Sequence, residues 1–372
     1  MQALVEKRIE KLRKTLARKK LDAFLVLIEE NRRYLSGYTG EDTQFDESAG
    51  ALLITADRLI LATDSRFDLQ ARREAPLYRV VRYREGLVKE LPRLLKRLKA
   101  AQVGFETIRM TFSQHGKISE ALKKAGLSVE LTPTEDIVEN QRILKNKTEA
   151  AAIKKALEIA EAGFVRVLES LRPGMTESEA AWLLESYLRE GGAEGLSFPT
   201  IVAAGPNSAL PHAVPGPRKI KAGVPVLFDW GARFGGYCSD ISRTVIIGKP
   251  DAAFRKVYQT VRDAQRKAID AIRPGGGTQA VDAAAREFIA KKGFKGRFGH
   301  GLGHGVGLAI HEQPRLSPLS DRKIKTGMVF TVEPGIYLPR WGGVRIENMV
   351  RVRPGGVEVL NRLDTELISI EA

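Results

Sequence analysis

The sequence predicts a mixed α/β (α+β) protein in two parts, and three observations carry that reading. Helix and strand signals alternate over the first stretch of about 130 residues, a polar segment interrupts them, and the rest contains an internal repeat. A length of 372 residues suits two domains. The expected division is an N-terminal α/β domain at 1–133, a linker at 134–146 and a larger domain at 147–372.

The first part opens with Leu4, Val5, Ile9, Leu12 and Leu16 at helical spacing, separated mostly by charged residues. Ala23 to Ile28 is an apolar run of buried-strand type, and Ser36 to Asp42 reads as a loop. Two further apolar runs, 51–55 and 58–62, form a predicted hairpin around Ala56 and Asp57. The alternation continues to about Leu131, and from Lys147 a long amphipathic helix runs toward Leu171.

The repeat orders the second part. One long helix ends at Leu171-Arg-Pro-Gly174 and another at Ile272-Arg-Pro-Gly275, and each precedes a second helix. The first of these second helices opens on a capping box, Thr176 and Glu179. Downstream, Arg218-Lys-Ile-Lys matches Arg322-Lys-Ile-Lys, and His212-Ala-Val-Pro matches His311-Glu-Gln-Pro. A duplicated helix–helix–strand unit of this kind leaves a pseudo-twofold cleft between its copies.

Composition bounds the setting. Hydrophobic residues make up 43% of the chain, which is the share of a globular protein rather than a disordered one. No apolar run approaches the ~20 residues of a membrane helix, and the charged start has no signal-peptide core. The single cysteine, Cys238, excludes an internal disulfide and fits a reducing compartment, so a cytoplasmic location is expected. The net charge of +15 is spread along the chain and interleaved with acids, without zinc-finger spacing, an RNA-binding aromatic signature or a basic region feeding a zipper. It reads as a solvated surface, with neither nucleic acid nor membrane as an expected partner.

The acidic residues fall into register with the repeat. The Arg218 and Arg322 matches are 104 positions apart, and the same step carries Asp229 onto Glu333. Asp240 and Glu347 pair in the same way, with a step of 107. All four lie at apolar predicted strands. An ionised, unpaired carboxylate in such a place costs several kcal/mol, and a cluster of them protonates unless cations neutralise it. Arg243 and Arg345 can answer one or two of the four; two divalent cations answer all of them. Four of the five histidines, His212, His300, His304 and His311, lie in the same part of the chain. The glycines of Phe298-Gly-His-Gly-Leu-Gly-His-Gly-Val-Gly-Leu308 rule against a regular helix and let an imidazole approach a crowded cation. A phosphate-cradling loop fails on pattern.

At these residues the chain resembles the pita-bread (creatinase/aminopeptidase-like) metallopeptidases: methionine aminopeptidase, aminopeptidase P and prolidase. The motifs are LFDWGARFGGYCSDISRT, GHGVGL, TVEPGIY and VRIEN. The resemblance implies a pita-bread fold and two metal ions held by Asp229, Asp240, His304, Glu333 and Glu347. NRRYLSGYTG and LATDSRFDLQA are similar to the N-terminal domain of the Xaa-Pro enzymes, and Arg345, His212 and His311 also look like that branch. The implied activity is hydrolysis of an Xaa-Pro bond, either at the N-terminus of a peptide or in a dipeptide. A methionine aminopeptidase and a non-catalytic pita-bread binding protein are the alternatives. The family also implies a homodimer.

The ions would acidify a shared water. Glu333 would serve as general base, His311 would polarise the scissile carbonyl, and His212 would hold the proline side and steady the intermediate. Tyr237, His300 and Arg345 are expected to anchor substrate or support the site, with Arg345 able to pair with a dipeptide carboxylate. Phe198 or Tyr337 is expected to wall the proline ring. A donor set of carboxylates and one imidazole leans toward Mn²⁺, with Co²⁺ or Zn²⁺ as substitutes.

Overall fold

The structure is a computed structural model that describes residues 2–44 and 47–371. The chain divides into two compact units between Arg142 and Ile143, within the segment expected to link them.

In the first unit, the helix Gln2–Arg18 buries Val5, Ile9, Leu12 and Leu16, one face at helical spacing. A six-stranded sheet runs in the order Arg79–Arg82, Leu59–Thr63, Ala51–Thr55, Ala23–Val26, Gln102–Glu106, Glu130–Thr134. The expected hairpin is present as the antiparallel pair Ala51–Thr55 and Leu59–Thr63. Its turn is fastened by the Thr55 hydroxyl, which donates to Asp57 and accepts from the Arg58 amide.

The second unit carries the duplication. The helices Lys147–Ser170 and Glu177–Glu190 form one pair, and Ala252–Ala271 and Thr278–Ile289 the other. Asn146 with Glu149, and Thr176 with Glu179, close capping boxes on the first pair. The repeated Arg-Lys-Ile-Lys segments return to the turns between the paired helices in matching ways. Gly174 N–H donates to Ile220 and Gly275 N–H to Ile324, at 2.9 and 2.8 Å. Glu177 N–H donates to Arg218 and Thr278 N–H to Arg322, both at 3.0 Å. Matched bonds at matched residues make the repeat structural.

Each helix pair covers a half-sheet. The first half-sheet runs Ile368–Ile370, Ile241–Ile247, Pro225–Trp230, Ile201–Ala204. The second runs Glu312–Leu316, Gly303–Gly305, Val329–Val332, Asn348–Arg353, Gly356–Val359. Under the first, Phe164 stacks on Trp230 with centroids 4.3 Å apart, and the indole N–H donates to the Ala160 carbonyl at 2.9 Å. The halves are joined edge to edge: Glu347 N–H donates to the Ser242 carbonyl at 3.1 Å, and Thr244 exchanges hydrogen bonds with the Arg345 backbone. Arg243, fully buried, spends its guanidinium on the carbonyls of Ser242, Glu347, Leu363 and Asp364 and on the Asn348 side chain. It clamps the junction instead of neutralising the acids.

Candidate metal centre

Strand periodicity sets the first two positions. Along Pro225–Trp230, Phe228 and Trp230 face the helices, so Asp229 faces the opposite side of the sheet. Ser242 lies directly across from Asp229 in the antiparallel register and shares that side. Asp240 sits just before the same strand, and its amide reaches the Met349 sulfur. In the other half, Glu333 follows Val329–Val332 and Glu347 precedes Asn348–Arg353, the counterparts of these two strands. Ligand atoms of Asp229, Asp240 and Glu347 lie within 4.8 Å of one another.

His304 completes the cluster from the strand Gly303–Gly305. A Cβ on Gly303 would stand 2.1 Å from the Thr331 carbonyl oxygen, and one on Gly305 2.2 Å from that of Gln313. Only glycine lets this strand lie so close to its neighbours. The His304 Nδ1–H donates to the Gly305 carbonyl at 3.1 Å, which leaves the Nε2 lone pair directed to the acids. That nitrogen is 3.4 Å from both Asp240 Oδ2 and Glu333 Oε1.

The protein's own charges do not balance this cluster. Arg345, 2.6 Å from Asp229 Oδ2, is the one guanidinium paired with the four acids among the described residues. Burial, followed by the fields of Glu347, Asp229 and Glu333, holds the Asp240 carboxyl well above the carboxylate range. Glu347 is raised by burial and by Glu333 and Asp229, and Glu333 is pushed to about 8 by burial and Asp229 against Arg345. Burial lowers His304 to about 3 and His300 to about 4, so both rings are neutral at pH 7. Two oxygens, Asp229 Oδ1 and Glu347 Oε1, are buried without a hydrogen-bond partner. An orphaned buried carboxylate oxygen is costly, and two in one three-carboxylate group fit a divalent cation. The donor set passes that test.

The other expected residues divide into three groups. His212, His300 and His311 line the cleft with the five clustered residues, and so does Phe198. The His311 ring packs edge-on to His304, 4.3 Å between centroids. Arg345 is at the site but committed: Nη2 to Asp229, Nε to Ser242, Nη1 to the Tyr337 hydroxyl and the Pro211 carbonyl. Its expected pairing with a substrate carboxylate therefore competes with four existing bonds. Tyr237 does not line the cleft. Its hydroxyl donates to Glu149 at 2.9 Å, because its short strand packs against the helix Lys147–Ser170. Nor does Tyr337 wall it; its hydroxyl accepts from Arg345 and donates to His300 Nε2 at 2.8 Å.

Three contributors escaped sequence reasoning. Ser242 donates to Glu347 Oε2 at 2.8 Å while accepting from Arg345, and Thr331 donates to Glu333. Both lie two residues from a motif acid, on strands where such spacing means a shared face. Arg315 lines the cleft directly opposite His304 in the strand register and has no ion-pair partner among the described residues. Without the register, it is one arginine among many.

Proteins with this duplicated sheet and this donor set form the pita-bread class of hydrolases. Residues 151–354 match the sequence model of metallopeptidase family M24, and residues 8–144 match that of the creatinase/prolidase N-terminal domain. The chain belongs to metallopeptidase family M24. It is 33% identical over 365 residues to an Xaa-Pro dipeptidase of Pyrococcus horikoshii, covering 98% of this chain and 99% of that protein. Among solved structures, an Xaa-Pro dipeptidase from Bacillus anthracis matches with a TM-score of 0.91 at 38% identity, covering 98% of this chain and 99% of that one. An X-Pro aminopeptidase from Thermotoga maritima matches at 0.84 and 37%, covering 94% and 98%. A family of metallopeptidases implies divalent metal ions, the cofactor for which the cluster is built.

Proposed function

We propose that this protein is an exopeptidase using two metal ions to hydrolyse an Xaa-Pro bond, in dipeptides or at the N-terminus of longer peptides. The observation that carries the hydrolytic reading is the pair of partnerless buried oxygens, Asp229 Oδ1 and Glu347 Oε1, inside the carboxylate cluster. Proline as the second residue is supported by the names of relatives that match over nearly the whole chain.

Asp229 and Asp240 would hold one ion, and Asp240, His304, Glu333 and Glu347 the other, with Asp240 shared. Bound ions would supply an acidified water and a polarised carbonyl. The carboxylate-rich set favours Mn²⁺. Glu333 takes the proton of the attacking water and returns it to the departing proline nitrogen. The water oxygen bonds to the carbonyl carbon as the carbonyl π pair moves to oxygen; the return of that pair breaks the C–N bond while the nitrogen takes the proton, so atoms and protons balance. His311, against His304 at the cleft, hydrogen-bonds the scissile carbonyl oxygen as charge grows there, and His212 steadies the proline side. His300 is held in one tautomer by its Nδ1–H bond to the Gly301 carbonyl, and through Tyr337 it fixes Arg345. Phe198 offers an apolar wall to a ring that has no N–H to satisfy. Among the described residues of the cleft, Arg315, rather than Arg345, is the cation left for the carboxylate of a dipeptide.

The test is a panel of Xaa-Pro dipeptides, Xaa-Pro tripeptides and non-proline controls, with added Mn²⁺. Release of the first residue from Xaa-Pro substrates alone supports the reading; cleavage of Met-Ala-type peptides instead would replace it. A cytoplasmic setting and a homodimer complete the proposal. The buried, unbridged Cys238 accords with the first. The second is supported by Leu69, Ile108 and Phe112, large apolar side chains 82–94% exposed in the N-terminal unit.

A further inference from the structure

A groove of about 610 Å³ runs beside the helix Glu177–Glu190, and it shares a wall with the catalytic cleft: Phe198, Pro199, Thr200 and Pro215 line both. Two features of this groove are unexplained by folding. Trp182 lies in it 68% exposed, on the side of the helix away from the buried Ala180, Leu184 and Leu188. An indole left in water forgoes one of the largest burial gains available to a side chain. Thr200, only 8% exposed, has a hydroxyl that is buried and without a hydrogen-bond partner. It stands on the shared wall, where the groove leaves the cleft.

From these features we infer that the groove is a downstream subsite for the residues that follow the proline of a peptide substrate. The inference rests on the exopeptidase reading, which also sets the direction. The free amine of such a substrate ends at the metal cluster, so any chain leaving the cleft is the C-terminal side. The residue after proline brings back the amide N–H that proline lacks, and a peptide carbonyl with it. Rotation about χ1 would turn the Thr200 hydroxyl, buried in its present rotamer, to accept from one or donate to the other. Trp182 then covers the apolar face of the following side chains, with its flat ring tolerant of many of them. The loop carrying His212 is tied to the groove, since the Ser178 hydroxyl donates to the Pro215 carbonyl at 3.2 Å. A filled groove and a placed His212 are thus neighbours along one short segment. The enzyme this describes prefers oligopeptides, with dipeptides as its shorter substrates.

The experiment compares kcat/KM for Xaa-Pro against Xaa-Pro-Ala-Leu-Ala in the wild type, Trp182→Ala and Thr200→Val. The expected result is a pentapeptide advantage of about tenfold in the wild type, the size of one well-buried aromatic contact. Each variant should lose most of that advantage through KM while its dipeptide kinetics stay within about twofold. An equal or faster dipeptide in the wild type overturns the inference. So does a variant that slows both substrates alike, or one that leaves the advantage intact. Absence of cleavage on every Xaa-Pro substrate would defeat the exopeptidase reading itself, a separate outcome.

Discussion

Asp240 is where two groups of donor atoms overlap, with Asp229 and Glu347 on one side and His304 Nε2, 3.4 Å away, on the other. Its removal opens both metal positions at once. Asp240→Ala is expected to bring bound metal below stoichiometry by elemental analysis. Activity should fall beyond the ~10–100-fold usual for a supporting residue, and full activity in this variant would take Asp240 off the ligand set. His212 differs, being an exposed residue that lines the cleft without belonging to the cluster. His212→Ala should retain its metal and lose kcat by about tenfold or more, as expected for a residue that holds the proline side and steadies the intermediate; loss of metal would contradict its assigned role. Arg345 is the counter-charge the protein itself provides. Arg345→Met leaves the half-buried Asp229 beside three further acids without its counter-charge, so unfolding in denaturant should show about 3 kcal/mol of lost stability without metal, and less with it.

The strand Gly303–Gly305 shows how an element's composition serves one side chain. It is pressed between Val329–Val332 and Glu312–Leu316, and its glycines remove the methyl groups that would force these apart. Gly303→Ala should displace His304 from the acids, weakening metal retention and costing about 1–3 kcal/mol or more in thermal unfolding. Gly299 belongs to the same glycine-rich run, yet a Cβ there meets nothing within 4 Å. Gly299→Ala should retain metal; equal losses at both positions would mean that general flexibility, not close approach, explains the run. The helices divide labour differently. Phe164 and Trp230 lock the first pair to its half-sheet, while Glu177–Glu190 also lends its outer side to the groove.

For the whole molecule, the cluster makes stability depend on pH and metal together. Glu333, Asp240 and Glu347 bind protons more tightly in the folded chain than in the unfolded one. Groups raised in this way stabilise the fold fully below their unfolded values, 4.5 for the two glutamates and 3.8 for Asp240, and that contribution is lost as pH rises through the folded values, about 8 for Glu333. Chelated protein should therefore lose melting temperature between about pH 5 and pH 8 from these groups, and the increment given by Mn²⁺ should grow over the same range, since metal displaces the protons. An Mn²⁺ increment independent of pH would contradict the protonated cluster. Much of this centre was readable beforehand because duplication leaves a mark in linear order: a repeat of Arg-Lys-Ile-Lys segments sets the step, and that step carries one acid onto another. The strand alternation that turns Asp229 away from Phe228 and Trp230 is likewise local, a period of two written in the residues themselves. Partner choice across strands is not local. That Tyr237 reaches Glu149, that Arg345 is already held by Asp229, Ser242 and Tyr337, that Arg315 faces His304, and that Thr200 is buried without a partner all depend on register and on the joining of two half-sheets. The duplicated architecture, and the acids and histidine that converge in it, are written in linear order, because both follow from short periods and repeated segments. Which of the neighbouring polar groups are already bound to one another, and which remain for a substrate, is set by folding alone, because hydrogen bonds are fixed by positions that residues far apart in the chain take up together.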